Sequence, residues 1–549
     1  MGALAGWIAS RRGAPEAHAV VPMLESLAHR ASGEALEACI DAERDREVVM
    51  GATFSDPASG LSLSLDGSIL NREALRKELR SYSLAADSDA ELLARAYQRW
   101  DKDVVRRLHG AFAFALWDAH RGRLLLARDR FGEKPLYLRE SADALYFGSE
   151  LRALARAPGA RAEVDVAAVS DYLARGFVAG PRTLLKGVRK LAPGSYALWQ
   201  FGRLRESRYW TPPDLETLNP DVPADPVAAF IGHLDNAVRE RMRARRPVGA
   251  LLSGGFDSAA IAALMRKQAD RVATFSAGFA EDGKSELARA ARIAAHLGTT
   301  HQEVVLAQRD VVTRLPELVA RRDAPFSRPA DVALYLFAAQ VARSVGVALS
   351  GDGGDEILGG YRRHTFLRGF APAPRRVEGL YVIPVETPSA GPRELRQILY
   401  YEQSTWLPDN LLERTDRMSM SASLEVRAPY LDHRLAEYVS RLPDALRVRG
   451  LSTKWILRQA DRRLLAGLKS QPRKAGFRIP VGELLRGEGR ELLLDHLRGA
   501  GAQTRAYYDA AVLDRVLDEH LASKRNHGNL LWTLLNLEIW QRTHSAARG

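Results

Sequence analysis

The chain has 549 residues, 46% hydrophobic and 27% charged, enough for more than one domain and an ample core. No apolar run approaches a membrane span, the N-terminus lacks a signal-peptide pattern, and Gly6 stands where myristoylation needs Ser or Thr. The net charge of +12 is spread as arginine beside acid, as in residues 42–47 and 239–246, which describes a solvated surface and excludes a nucleic-acid stripe.

In chain order, the first 210 residues alternate short apolar runs with turns: Leu61 to Leu65, Leu124 to Ala127, Ala144 to Gly148. That pattern predicts an antiparallel-rich α+β unit. The lone Cys39 excludes an intrachain disulfide framework and a cysteine-built zinc site, and fits a reducing cytoplasm, the expected location. Thr211-Pro212-Pro213, Asn219-Pro220 and Pro223 read as a linker. From about Pro226 helices alternate with strands, expected at Gly249 to Leu252, Val272 to Ala277, His301 to Val305 and Val345 to Ser350. Those strands are expected to be buried, in a parallel sheet with its chemistry at the strand C-termini. After Arg396 the chain reads as mostly amphipathic helix. The expected domains are therefore 1–210 and 226–549.

Two glycine-rich turns carry the chemistry of the second half. The first is Leu251-Leu252-Ser253-Gly254-Gly255-Phe256-Asp257-Ser258, followed by a helix-forming tract. Glycines admit an anion to the backbone, and N–H groups, Ser253 and Ser258 can donate to it. The Walker lysine is missing, so this is a phosphate loop of another kind, with Asp257 placed to hold Mg²⁺. The second turn, Ser350-Gly351-Asp352-Gly353-Gly354-Asp355-Glu356, again lies between strand and helix. Asp355 could share the metal, while Asp352 or Glu356 could act as general base toward an amine. Of 79 basic residues only 11 are lysines, so Lys454 in Lys454-Trp455-Ile456-Leu457-Arg458 and Lys474 in Arg473-Lys474-Ala475-Gly476-Phe477 stand out as point cations for phosphate.

With Arg414-Thr415-Asp416-Arg417-Met418-Ser419 and Leu424-Glu425-Val426-Arg427-Ala428-Pro429, these segments resemble the synthetase domain of the asparagine synthetase B family. The resemblance runs from about Gly110 to Arg486. It implies an α/β ATP-pyrophosphatase domain with a helical C-terminal part, using ATP and Mg²⁺ to adenylate a carboxylate. Pyrophosphate leaves, and a nitrogen nucleophile then forms the amide. It also implies a pyrophosphate loop of Ser253, Gly254, Gly255, Asp257 and Ser258, with Ser276 and Gly278 where adenine is held. Ser350 and Gly351 would join the ATP site, Gly351 and Asp352 would flank the acyl-adenylate, Asp355 would be a metal ligand, and Lys454 and Lys474 would support the leaving phosphate and the intermediate.

The first half resembles the same family's N-terminal-nucleophile glutaminase through Gly110-Ala111-Phe112-Ala113-Phe114, Ala127-Arg128-Asp129-Arg130-Phe131-Gly132 and Phe147-Gly148-Ser149-Glu150. An Ntn-hydrolase-type sandwich is the expected fold. The nucleophilic cysteine is replaced by Gly2, and the oxyanion motif Asn-Gly-Glu reads Asp66-Gly67-Ser68. A glutaminase is not expected. The partners implied are a small-molecule or peptide carboxylate with ammonia or an amine, and a homodimer stays open. Relatives with a dead amidotransferase half, the β-lactam and carbapenam synthetases and lasso-peptide macrolactam cyclases, keep intramolecular amide formation open; a non-catalytic scaffold is the third reading. In Arg322-Asp323-Ala324-Pro325-Phe326-Ser327-Arg328 the family often has Glu at 324 and Asp at 328, which puts aspartate as substrate in question.

Overall fold

The computed structural model describes residues 2–10, 15–30, 37–43, 46–80, 82, 88–160, 163–215, 222–280, 287–326, 328–367, 377–385, 394–468 and 479–546. Contacts divide the chain into two units: residues 1–163, 180–212 and 403–416 form one, and 164–179, 213–402 and 417–549 the other.

The first unit is built on two antiparallel sheets, six-stranded among the described residues. One runs in the order Val188–Lys190, Tyr137–Glu140, Ala144–Gly148, Ala5–Ser10, Arg46–Ala52, Glu37–Glu43. The other runs Arg203–Arg208, Ser195–Gln200, Arg123–Arg128, Gly110–Asp118, Leu61–Ile69, Phe54–Asp56. Period-two alternation puts Ile8, Met50, Leu138 and Phe147 of the first sheet against Ala113, Ala115, Trp117 and Leu126 of the second in one buried core. The other face of the second sheet, with Phe112, Phe114 and Leu125, packs on the helix Asp89–Trp100. The mix of helices and antiparallel sheets is consistent with the expected α+β unit.

The second unit holds a sheet whose strands all pair in parallel, in the order Thr300–Leu306, Ala273–Phe279, Val248–Leu251, Val347–Leu349, Glu425–Arg427. Helices Phe256–Gln268, Leu287–Leu297 and Pro329–Val341 supply the crossovers that parallel pairing requires. The expected strands form within two residues of their predicted limits, with two differences. Thr300–Leu306 is an edge strand with most of its side chains in solvent, Val305 being 60% exposed. The strand Glu425–Arg427 lies inside a stretch expected to be helical. It is only three residues long, too short to give a period. Among the described residues no helix is long and apolar enough to cross a membrane.

Candidate active site

Both glycine turns leave the C-terminal ends of neighbouring strands, because Ala250 of the first pairs with Leu349 of the second. A crevice at the strand ends of a parallel sheet is where such folds bind ligands. In the first turn Gly254 has φ +75°, a left-handed conformation that suits glycine. The helix Phe256–Gln268 starts directly behind it and places Asp257 in its first turn. Ser258 Oγ accepts from Ser253 N at 3.1 Å and lies 3.1 Å from Ser253 Oγ, so the two hydroxyls brace the loop.

The second turn closes onto the first. A Cβ at Gly351 would lie 2.7 Å from Asp257 Cβ, and one at Gly354 would strike the Asp257 carboxylate. These glycines are close-approach positions. The turn thereby brings Asp355 to the same point as Asp257, and one ammonium joins them: Lys454 Nζ is 2.5 Å from Asp257 Oδ1 and 2.7 Å from Asp355 Oδ1. Lys454 is 3% exposed. Burial alone would lower its pKa, but the carboxylates of Asp257 and Asp355 reverse that and hold it protonated. Tyr430 adds a wall, its hydroxyl donating to the Asp257 carbonyl at 3.2 Å.

The two candidate bases differ in surroundings. Asp352 is half-buried and accepts from Ser350 Oγ at 3.1 Å. Glu356 is 1% exposed and accepts the Tyr361 hydroxyl. Burial, with Asp355 next to it, pushes Glu356 up to about 8. Behind it, His364 Nε2 and Arg363 Nε bond the buried Glu402 at 3.0 and 2.9 Å. Ser276 and Gly278 share the next strand, where Ser276 Oγ lies 3.1 Å from His301 Nε2 and a Cβ at Gly278 would meet Leu287 at 2.8 Å. Lys474 lies outside the described residues. The structure thus brings Asp257, Asp355, Lys454 and both glycine turns together. It adds Tyr361 and Tyr430, which no local sequence signal marked.

In the first unit, Gly2 and Asp66 are closely surrounded. A Cβ at Gly2 would fall on the Leu65 carbonyl oxygen and lie 2.8 Å from Asp66 Cα. Asp66, fully buried, accepts from Arg30 Nη2 at 2.9 Å and Ser149 Oγ at 2.8 Å. Arg30 Nη1 also donates to Glu150 at 3.0 Å and to Asp416 at 2.7 Å, and Lys134 Nζ bonds Asp416 at 2.8 Å. Cys39, the only cysteine, lies within the strand Glu37–Glu43 opposite Met50.

Comparison with known proteins agrees with both halves. The asparagine synthase family model matches residues 230–542, and a glutamine amidotransferase domain model matches residues 1–210. The chain belongs to the asparagine synthetase family. A putative glutamine-hydrolyzing asparagine synthetase of Mycobacterium tuberculosis is 31% identical over 87% of this chain and 84% of its own length. Asparagine synthetases 1 and 3 of Bacillus subtilis, both glutamine-hydrolyzing by name, are 29% and 32% identical. They cover 86% and 77% of this chain, and the matches span 84% and 76% of their own lengths. As a family member the chain is asparagine synthetase-like, an ATP-dependent amide-forming ligase.

Proposed function

We propose that this chain adenylates a carboxylate with ATP, releases pyrophosphate, and passes the acyl group to a nitrogen nucleophile that is not drawn from glutamine. The convergence of Asp257, Asp355 and Lys454 on one point between two glycine turns carries the reading. Three charged groups from segments about a hundred residues apart meet where a polyphosphate would lie, and no packing need calls for them.

The donor set fits a magnesium ion. Asp257 and Asp355 offer hard carboxylate oxygens close enough to share one cation. These two would hold it, and its chemistry there is neutralisation of the phosphate charge. The residues of the chain do the rest. Backbone N–H groups of the turns and Ser253 and Ser258 orient the phosphates, and Lys454 balances charge as pyrophosphate departs. Asp352, half-buried and held by Ser350, takes the proton from the attacking amine. Glu356 stays inside, held by Tyr361, and keeps its proton at neutral pH.

Loss of glutaminase is supported by Gly2, whose surroundings leave no volume for a nucleophilic side chain, and by the charged network around Asp66. The same closed position favours a second reading, in which the amine belongs to the substrate itself, as in intramolecular amide ligases of natural-product biosynthesis. The loop at 322–328 bears on the carboxylate. It is pinned by Arg322 Nη1 to the Pro325 carbonyl at 3.0 Å and by Trp540 Nε1 to the Asp323 carbonyl at 3.0 Å. Ala324 and Arg328, where the family often has Glu and Asp, favour an acid other than aspartate.

The test is pyrophosphate release from ATP and Mg²⁺ with aspartate, supplying ammonium or glutamine in turn. Asp257→Asn is expected to lower it at least ~100-fold; an unchanged rate would remove the site assignment. Turnover with ammonium and none with glutamine would support an ammonia user. Silence with aspartate would direct the search to acids carrying their own amine.

A further inference from the structure

Behind Lys454 the chain turns into the helix Trp455–Leu464, which packs on Phe256–Gln268. Residues 454, 458 and 461 follow i, i+4, i+7 spacing and share one face. Arg458 on that face lies with its guanidinium carbon 4.1 Å from the ring centroid of Phe256, the first helical residue after the Ser253-Gly254-Gly255 turn. Its Nε donates to the Thr453 carbonyl at 2.6 Å and Nη2 to Thr453 Oγ1 at 3.4 Å. Those bonds fix one edge of the planar fork. Nη1 has no acceptor among the described residues.

Asp461 comes one turn later, 1% exposed, and neither carboxylate oxygen has a hydrogen-bond partner among the described residues. A buried acid without a partner is costly, so its presence beside the turn needs a reason. Burial lowers the Arg458 guanidinium pKa, and the acids Asp461 and Asp257 near it oppose that. Burial and Asp257 push Asp461 itself well upward. Lys454 is already shared by two carboxylates and offers limited charge to a polyphosphate.

We propose that Arg458 is a second phosphate-binding cation of this turn, with Phe256 and Thr453 fixing its plane. The ligand class is a polyphosphate, either the phosphates of ATP or free pyrophosphate, met through the uncommitted Nη1. An arginine fork suits this because phosphate oxygens accept its parallel N–H groups. The inference rests on the ATP reading of the Ser253–Ser258 turn.

The experiment is calorimetric titration of the full chain, in Mg²⁺, with inorganic pyrophosphate, ATP and adenosine. Arg458→Met keeps an apolar stem over Phe256 and removes the charge. It is expected to weaken pyrophosphate and ATP about 10- to 100-fold, to leave adenosine unchanged, and to melt within a few degrees of wild type. Should Arg458→Met fail to fold, Arg458→Lys keeps the charge and loses the fork, and weaker pyrophosphate binding with adenosine unchanged supports the assignment. Pyrophosphate binding equal to wild type in the folded Arg458 variant would overturn it alone. A wild-type chain that binds neither ATP nor pyrophosphate would overturn the ATP reading as well.

Discussion

Position 2 shows how much one missing side chain decides. Any Cβ there would fall on the Leu65 carbonyl oxygen and lie 2.8 Å from Asp66 Cα, both backbone atoms of a strand that cannot easily give way. Gly2→Cys is therefore expected to yield no glutamate from glutamine and to lower the unfolding temperature, read by a coupled glutamate assay and thermal denaturation. Glu356 gives a pH prediction. Its folded pKa of about 8 lies above the unfolded value of about 4.3, so the folded state binds the extra proton between them. The stability this contributes is present at low pH and is lost as pH rises toward 8. Unfolding temperature should fall across that window, about 2–4 °C per kcal/mol, and Glu356→Gln should flatten the fall. Residues of this kind differ in legibility. Asp257, Asp355 and Lys454 stood out in the sequence because glycines framed the acids and lysine is scarce. Arg458 was hidden among 68 arginines, and Asp461, beside Arg462 and Arg463, looks like an ordinary surface ion-pair partner.

Among the elements, the two strand–turn–helix units were the most readable, since glycine runs between apolar and helical tracts mark both ends. The structure adds how tightly they are matched. A Cβ at Gly360 would collide with the Asp355 carboxylate and the Lys454 side chain, lying 2.8 Å from Asp355 Cγ. Gly360→Ala is expected to cut pyrophosphate release ~100-fold while the chain still unfolds cooperatively. A rate within a factor of two would show that the acids can shift freely. The strand Glu425–Arg427 escaped prediction because three residues carry no period and its partner, Val347–Leu349, is about eighty residues away. The π-helical stretch Glu402–Leu412, with Pro408 inside it, likewise follows no amphipathic rule, since Glu402 and Asp409 within it serve buried polar pairs.

At the scale of the molecule, residues 403–416 belong by contacts to the first unit, although nearly two hundred residues separate them from Pro212. Lys190 Nζ bonds Asp409 at 3.2 Å and Glu413 at 2.8 Å, and the Tyr137 hydroxyl bonds Glu413 at 2.7 Å. Although burial opposes it, Arg30 and Lys134 hold Asp416 at about 2, so its ionised form is lost only below that pH. None of this was legible, because composition changes at 211–223 and nothing marks a return. Residues 1–212 expressed alone are expected to lack a cooperative melt, and the same piece with 403–416 joined by a linker to recover it, as read by calorimetry. The arrangement also bears on synthesis. At usual translation speeds residues 403–416 emerge roughly 10–40 s after residue 212. Until then Arg30, Lys134 and Lys190 have no anions from that segment to bind, so the unit that begins first on the ribosome must wait for most of the other to be made before it closes.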